Sequence, residues 1–142
     1  MSSQWGVGNF IAVSGLAVRA TTAYQDAPDG YGYISEEVTT LQILIDNVAQ
    51  HFKSTPFNSD DRLDGQKVLR SCQRVLEDLN SLMDKYKRLA SINERLALIG
   101  VKVGGENIIT LRERLRSNTD SLHGFVRRFV DLGILLHQFY IY

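Results

Sequence analysis

Apolar side chains recur at three- and four-residue intervals along most of the chain, a spacing typical of amphipathic helices. Such a stripe predicts a first helix over residues 9–24, followed by a turn at the Asp-Ala-Pro-Asp-Gly sequence of residues 26–30. A second helix is predicted to start at Ser35, whose hydroxyl is expected to cap it. The stripes of these two helices comprise Phe10, Val13, Leu16, Ala17, Ala20 and Tyr24, then Val38, Leu41, Ile45, Val48 and Phe52.

The second half of the chain carries the most regular stripe. A long third helix is predicted over about residues 61–89, a short one over 92–99, and a last long one over about 106–138. Gly100, Gly104 and Gly105 separate the last two. The apolar positions of the third helix are Val68, Leu69, Cys72, Val75, Leu76, Leu79, Leu82, Met83, Tyr86 and Leu89.

These elements define the predicted fold class. No window alternates apolar and polar residues with the two-residue period of a strand. We therefore expect an all-α antiparallel bundle of four to five helices, formed as a single domain over residues 1–142.

Charge is balanced overall but divided unevenly. The chain has 16 basic and 16 acidic residues, yet the part up to Asp61 has two basic and seven acidic ones, a charge of −5, and the rest carries +5. Such a division can mark a surface for acidic partners or membranes, or it can hold two halves of one bundle together. Because acids interleave with the bases in the second half, the second interpretation is favoured.

Residue types needed for chemistry are present but not arranged for it. Gly6-Val-Gly8 has Ile11 where a dinucleotide loop needs glycine, and no Gly-Lys-Ser/Thr sequence occurs. The three histidines are far apart, and the arginines form no continuous stripe. We thus predict no catalytic or metal site, no cofactor, no enzymatic activity and no nucleic-acid partner. The single cysteine, Cys72, lies on an apolar stripe and is expected to be a buried small hydrophobe in a reducing, cytoplasmic setting.

The N-terminal segment QWGVGNFIAVSGLAV, residues 4–18, has no charged side chain. It lacks the positive start of a signal peptide, although Val18-Arg19-Ala20 is similar to a cleavage site, and it is shorter than a membrane span. Two interpretations remain, a core helix of the bundle and an amphipathic helix that leaves the bundle for a lipid surface. In the second, Arg19 would lie at the headgroup level. The predicted lipid-contacting side chains are Trp5, Phe10, Ile11, Val13, Leu16 and Arg19.

Three stretches of the sequence resemble the fungal HeLo-like N-terminal domains. They are GVGNFIAVSGLAVRATTAYQDAPDGYGYISEEVTTLQILI at residues 6–45, VLEDLNSLMDKYKRLA at 75–90 and ITLRERLRSNTDSL at 109–122. The resemblance implies a helical bundle that forms the N-terminal domain of a larger signalling protein and acts in cell-death or immune-like signalling. It further implies an exposed first helix that inserts into the plasma membrane after oligomerisation. Membrane lipids would then be partners on activation, together with a homo-oligomer or an upstream signalling protein.

An alternative interpretation assigns the interaction to the other end of the chain. The terminal sequence DLGILLHQFYIY is unusually apolar. In a non-enzymatic adaptor or oligomerisation domain, the first helix would stay in the core and this tail would bind a partner or a second copy. The predicted partner-binding residues are Leu132, Ile134, Leu135, Phe139, Tyr140 and Tyr142.

Overall fold

The computed structural model describes residues 6–54 and 59–141. The side chains of residues 7, 54 and 129–141 are outside this description. The described residues form four α-helices and one short 3-10 turn, connected by loops, and contain no strand. The helices are α1 (Val7–Tyr24), α2 (Tyr33–Ser54), α3 (Ser59–Ala90) and α4 (Ile108–Ile141), and the 3-10 turn is Leu98–Gly100. The predicted all-α bundle with two long helices is therefore confirmed.

Helix pairing follows from contacts along the helices. Ser14 bonds Asp46 and Thr21 approaches Thr39, so α1 and α2 run antiparallel. In the same way α3 and α4 run antiparallel, with Arg114 against Asp78 and Arg128 against Asp64. Helix α1 also packs on α3, and α2 packs on α4, which closes the bundle around one core.

The core is formed by the predicted apolar stripes. Residues at three- and four-residue spacing on each helix are almost fully buried because this spacing places them on one helix face. The partly buried members of the stripes are Leu16, Phe52, Val68, Tyr86 and Leu89. The fully packed core includes Phe10, Val13, Ala17, Ala20, Tyr24, Val38, Leu41, Ile45, Leu69, Cys72, Val75, Leu76, Leu79, Leu82, Leu98, Ile108, Leu111, Leu115, Leu122 and Phe125.

The predicted short helix over residues 92–99 is wrong. Only Leu98–Gly100 forms a helical turn, and Ile92 is 83% exposed. The Asn93 side chain accepts a hydrogen bond from the Arg95 amide, an Asx turn that competes with helix formation. With Leu98 as its buried anchor, the segment lacks the continuous apolar face that would hold a helix on the bundle.

One predicted helix start is corrected. Ser35 does not cap α2: it lies inside the helix, and its hydroxyl donates to the Gly32 carbonyl. Helix α4 starts at Ile108, close to the predicted start near Glu106, because the Asn107 side chain accepts from the amides of Ile109 and Thr110. Glu106 instead pairs with Val103 across Gly104 and Gly105, whose positive φ angles make the tight turn.

Candidate functional site on the first helix

Helix α1 has two distinct faces. Its inner face, Phe10, Val13, Ala17, Ala20 and Tyr24, is buried against α2 and α3. Phe10 is 1% exposed and Val13 is 2% exposed, whereas Leu16 is half-buried at the edge of the core. Two of the predicted lipid-contacting side chains therefore point into the protein, and in this conformation the α1 inner face is not exposed as the family resemblance implies.

The outer face of α1 is exposed and mostly apolar. Its exposed residues, of which Arg19 is the only charged one, are Gly8, Asn9, Ile11, Ala12, Gly15, Val18, Arg19 and Thr22. Ile11 is 64% exposed and Val18 is 49% exposed. A surface helix ordinarily turns several charged residues to water, whereas α1 has only Arg19. The outer face thus offers lipid or a partner the side chains of Ile11 and Val18 beside one cation, while the inner face stays packed.

Arg19 is the one charged residue of α1, and it is committed to a neighbour. Its guanidinium donates to the Asp84 carboxylate of α3 at 2.8 Å, with both side chains more than half exposed. The pair ties α1 to α3 at the protein surface. Arg19 is available to a lipid headgroup only in competition with Asp84.

The first turn of α1 is capped by a polar side chain rather than by a charged one. The Asn9 side chain accepts a hydrogen bond from the Gly6 amide at 2.9 Å, which satisfies one of the donors that a helix end leaves free. Gly8 and Gly15 have open space where a Cβ would lie, so no close approach requires them. Each lowers helix stability by roughly 1 kcal/mol relative to alanine. Packing of the inner face must therefore compensate for a weak helix.

Hydrogen bonds at the seam with α3 fix the position of α1. The buried Tyr24 hydroxyl donates to the Leu79 carbonyl at 2.7 Å, and the Asn80 amide donates to the Leu16 carbonyl at 3.2 Å. Burial, together with the negative charge of Asp84, raises the pKa of Tyr24 well above its ordinary value, so the hydroxyl stays protonated. On the α2 side, the Ser14 hydroxyl donates to Asp46 at 2.9 Å.

Asn80 leaves one polar atom unsatisfied. The residue is only 4% exposed, and its side-chain oxygen has no hydrogen-bond partner among the described residues. A buried acceptor without a donor costs about 1–3 kcal/mol. The α1–α3 seam is therefore held in register by the Asn80 amide but is less stable than an apolar seam would be.

Sequence reasoning missed this seam. Asn80 follows Leu79 within the apolar stripe of α3, and a polar residue at a buried register was the signal that could have identified it. The role of Asp84 was not accessible in the same way, because nothing in its own helix indicates that Arg19 lies opposite.

Other predicted residues fall elsewhere. Trp5 and Tyr142 lie outside the described residues, as do the side chains of Leu132, Ile134, Leu135, Phe139 and Tyr140, although α4 continues through them as helix. Cys72 is buried, as expected from its stripe, and burial raises the pKa of its thiol to about 12. At neutral pH this group is a packed thiol rather than a nucleophile.

The described residues contain neither a membrane-spanning helix nor a group of metal ligands. No helix in this part of the chain has the length and apolarity to cross a bilayer. His, Cys, Asp and Glu side chains form no group of three or more that could hold a metal ion within residues 6–54 and 59–141.

Comparison of the chain with family models, curated proteins and solved structures gives no match. The HeLo-like assignment therefore stays a prediction from the sequence motifs. The contacts of α1 described above are the physical basis for a functional proposal.

Proposed function

We propose that this chain is a HeLo-like helical bundle that acts in cell-death or immune-like signalling and uses α1 to target or perturb membranes after oligomerisation. The observation that carries the proposal is the exposed face of α1, which holds Ile11 and Val18 in water and has Arg19 as its single charged residue. The motif resemblance supplies the signalling context. In this proposal the protein is cytoplasmic and is recruited to the plasma membrane on activation.

Energetics explain why activation would require oligomerisation. Burial of one aliphatic side chain contributes about 1.5–3 kcal/mol, so Ile11 and Val18 of a single chain give only weak attachment to lipid. Several chains in one assembly add their contacts, because binding of the first raises the effective concentration of the others. Helix α1 can thus be silent in a monomer and adhesive in an oligomer.

Deeper insertion would require the inner face as well. Phe10, Val13 and Tyr24 would have to leave the core, and each large side chain lost from a core costs several kcal/mol. Lipid burial of the same side chains offsets much of that cost. The buried Asn80 oxygen accepts no hydrogen bond from the described residues, so its access to water once α1 has moved reduces the free-energy cost of the displacement.

Vesicle flotation with point variants tests the proposal. Ile11→Glu and Val18→Glu place charge on the outer face without disturbing the core. In chains held as oligomers by fusion to a coiled coil, both should reduce flotation with phosphatidylcholine–phosphatidylserine vesicles at least about tenfold. The matched control is Ile43→Glu, a 56% exposed position on α2. Equal flotation of all three variants and the parent chain would contradict a role for the outer face. Circular dichroism checks that each variant is folded.

A second candidate function is a non-enzymatic adaptor in which α1 never leaves the core. The observation that favours it is the complete burial of Phe10 and Val13 together with the hydrogen bonds of Tyr24 and Asn80. In this case residues 132–142 would bind a partner or a second copy. Light scattering of the chain and of a 1–131 truncation separates the two: loss of an oligomer on truncation supports the adaptor, and a monomer in both cases excludes self-association through the tail.

A further inference from the structure

A polar cavity lies between α3 and α4, on surfaces that α1 does not contribute to. Its volume is about 260 Å³, and it is lined by Ser71, Arg74, Arg114, Ser117 and Asn118. Every lining residue carries a hydrogen-bond donor, and two of them are arginines. Hydroxyl, amide and guanidinium donors converging on one space are the groups that bind phosphate oxygens.

Arg114 is oriented with part of its guanidinium unused. Its Nη1 donates to Asp78 at 2.8 Å and to both oxygens of Glu106 at 3.3 Å. Within the described part of the chain, Nε and Nη2 make no hydrogen bond. These two nitrogens form the edge of the guanidinium that can bind two oxygens of one anion at once. The carboxylates therefore fix the side chain and leave its bidentate edge available.

Arg74 supplies a second positive charge without compensation. Its exposed side chain has no ion pair or hydrogen bond with any residue that the structure describes. Asp78, four residues further along α3, is bound to Arg114 instead. Ser71 lies one turn before Arg74, and Ser117 lies one turn after Arg114, so each helix brings an arginine and a hydroxyl to the same cavity.

We propose that this cavity is a binding site for a phosphate monoester, with Arg74 and Arg114 as the anion-binding pair and Ser71 and Ser117 as hydroxyl donors. The cavity is larger than a phosphate group, which leaves room for the organic part of a monoester beside the arginine pair. The site does not depend on the proposed membrane role of α1, because no residue of α1 lines it.

Inorganic phosphate is the probe for the test, with binding followed by amide chemical shifts in NMR titrations of the whole chain. Arg74→Gln should weaken phosphate binding about tenfold, since a charged hydrogen bond contributes about that factor. Arg70→Gln is the matched control, an exposed arginine one turn earlier on α3 that does not line the cavity. Ser117→Glu should abolish binding by placing a carboxylate in the cavity.

Equal weakening by Arg74→Gln and Arg70→Gln would overturn the proposal, because it would show general attraction to a basic helix surface. Absence of saturable shifts in the parent chain would overturn it as well. The source of the phosphate is separated by sedimentation with phosphatidic acid vesicles, whose headgroup is a monoester, and with phosphatidylglycerol vesicles, whose headgroup is a diester. Sensitivity of phosphatidic acid binding to Arg74→Gln identifies a lipid headgroup, and sensitivity confined to inorganic phosphate identifies a soluble ligand.

Discussion

Tyr24 shows how a single side chain can couple the first helix to the rest of the bundle. Its ring fills the core, and its hydroxyl reaches the Leu79 carbonyl of α3. The buried ring contributes through apolar area, and the hydroxyl contributes through a hydrogen bond that water cannot replace in the folded state. Ionisation would put a negative charge in the buried core and close to the negative charge of Asp84. Burial and, secondarily, Asp84 therefore raise the pKa of Tyr24.

Alkaline pH should therefore destabilise the protein through Tyr24. A raised pKa in the folded state means that the stabilising contribution is complete below the unfolded pKa of about 10 and is lost as pH rises through the folded value. Tyr24→Phe should be about 1 kcal/mol less stable than the parent at neutral pH, and the difference should shrink above about pH 10. Urea unfolding of both proteins across this pH range measures the difference in the free energy of unfolding. A difference that stays constant with pH would contradict the role of Tyr24 in the alkaline loss of stability.

The thiol of Cys72 offers a second residue-level test. It is the only cysteine, it is buried on α3, and burial raises its pKa to about 12. Since the thiolate is the reactive form, the folded protein should react with a thiol reagent at least a hundredfold more slowly than the protein in urea. Absorbance after addition of Ellman's reagent follows both rates. Rapid reaction of the folded chain would show that α3 opens locally.

Helix α1 owes its stability to packing rather than to intrinsic propensity. Gly8 and Gly15 lower its helix propensity. Ile11 and Val18 on its outer face are exposed to water and bury little apolar area, and Arg19 forms an ion pair with Asp84. The inner face and the α3 seam compensate. An element of this kind depends on its neighbours, and anything that offers its apolar faces another environment competes directly with the bundle.

Replacement of Gly15 should isolate the contribution of helix propensity. Its backbone is helical, and no atom lies within 4 Å of the position of an added Cβ. Gly15→Ala should raise the free energy of unfolding by about 0.5–1 kcal/mol, measured by urea denaturation. The contrasting variant is Gly30→Ala, at a φ of +80°, which should destabilise the protein because an L side chain is strained there. A loss of stability in Gly15→Ala would show that α1 requires the glycine for another reason.

The sequence pattern predicted all four α-helices because each of them places one continuous apolar stripe in the core. It failed for residues 92–99, where Asn93 closes a turn and Ile92 and Ile99 remain exposed. On α1 the pattern identified Phe10, Val13 and Ile11 as apolar but could not tell which of them the bundle would cover. Burial depends on the neighbouring helices, and the sequence of one helix does not contain that information.

Across the whole molecule, the unequal charges of the two parts of the chain meet at helix contacts. Arg112 of α4 binds Glu37 of α2 through two nitrogens and lies 4.5 Å from the ring centroid of Tyr33. Arg128 of α4 lies 3.7 Å from Asp61 of α3. These contacts support the interpretation that the −5 and +5 parts attract each other within one bundle, although Arg74 has no ion pair with the residues that the structure describes.

Salt should accordingly lower stability by a small amount. Raising ionic strength from about 0.01 M to about 0.1 M shortens the screening length from about 30 Å to about 10 Å, and exposed ion pairs weaken first. Urea unfolding should show a loss on the order of 1 kcal/mol. Glu37→Gln should reduce this salt dependence, whereas Glu94→Gln, at an exposed position outside the helices, should not. Identical salt dependence in both variants would exclude the Glu37–Arg112 pair as its source.

The sequence by itself determined the fold class, the apolar stripes of the helices and the burial of Cys72, because hydrophobic periodicity is a local property that survives without knowledge of the neighbours. Only the tertiary structure decided which face of α1 is covered and that Arg74 and Arg114 share a cavity. It also decided that the side-chain oxygen of Asn80 is buried without a hydrogen-bond donor among the described residues. Each of these depends on how residues distant in sequence are brought together. Helix packing fixes those distances, and spacing along the chain does not.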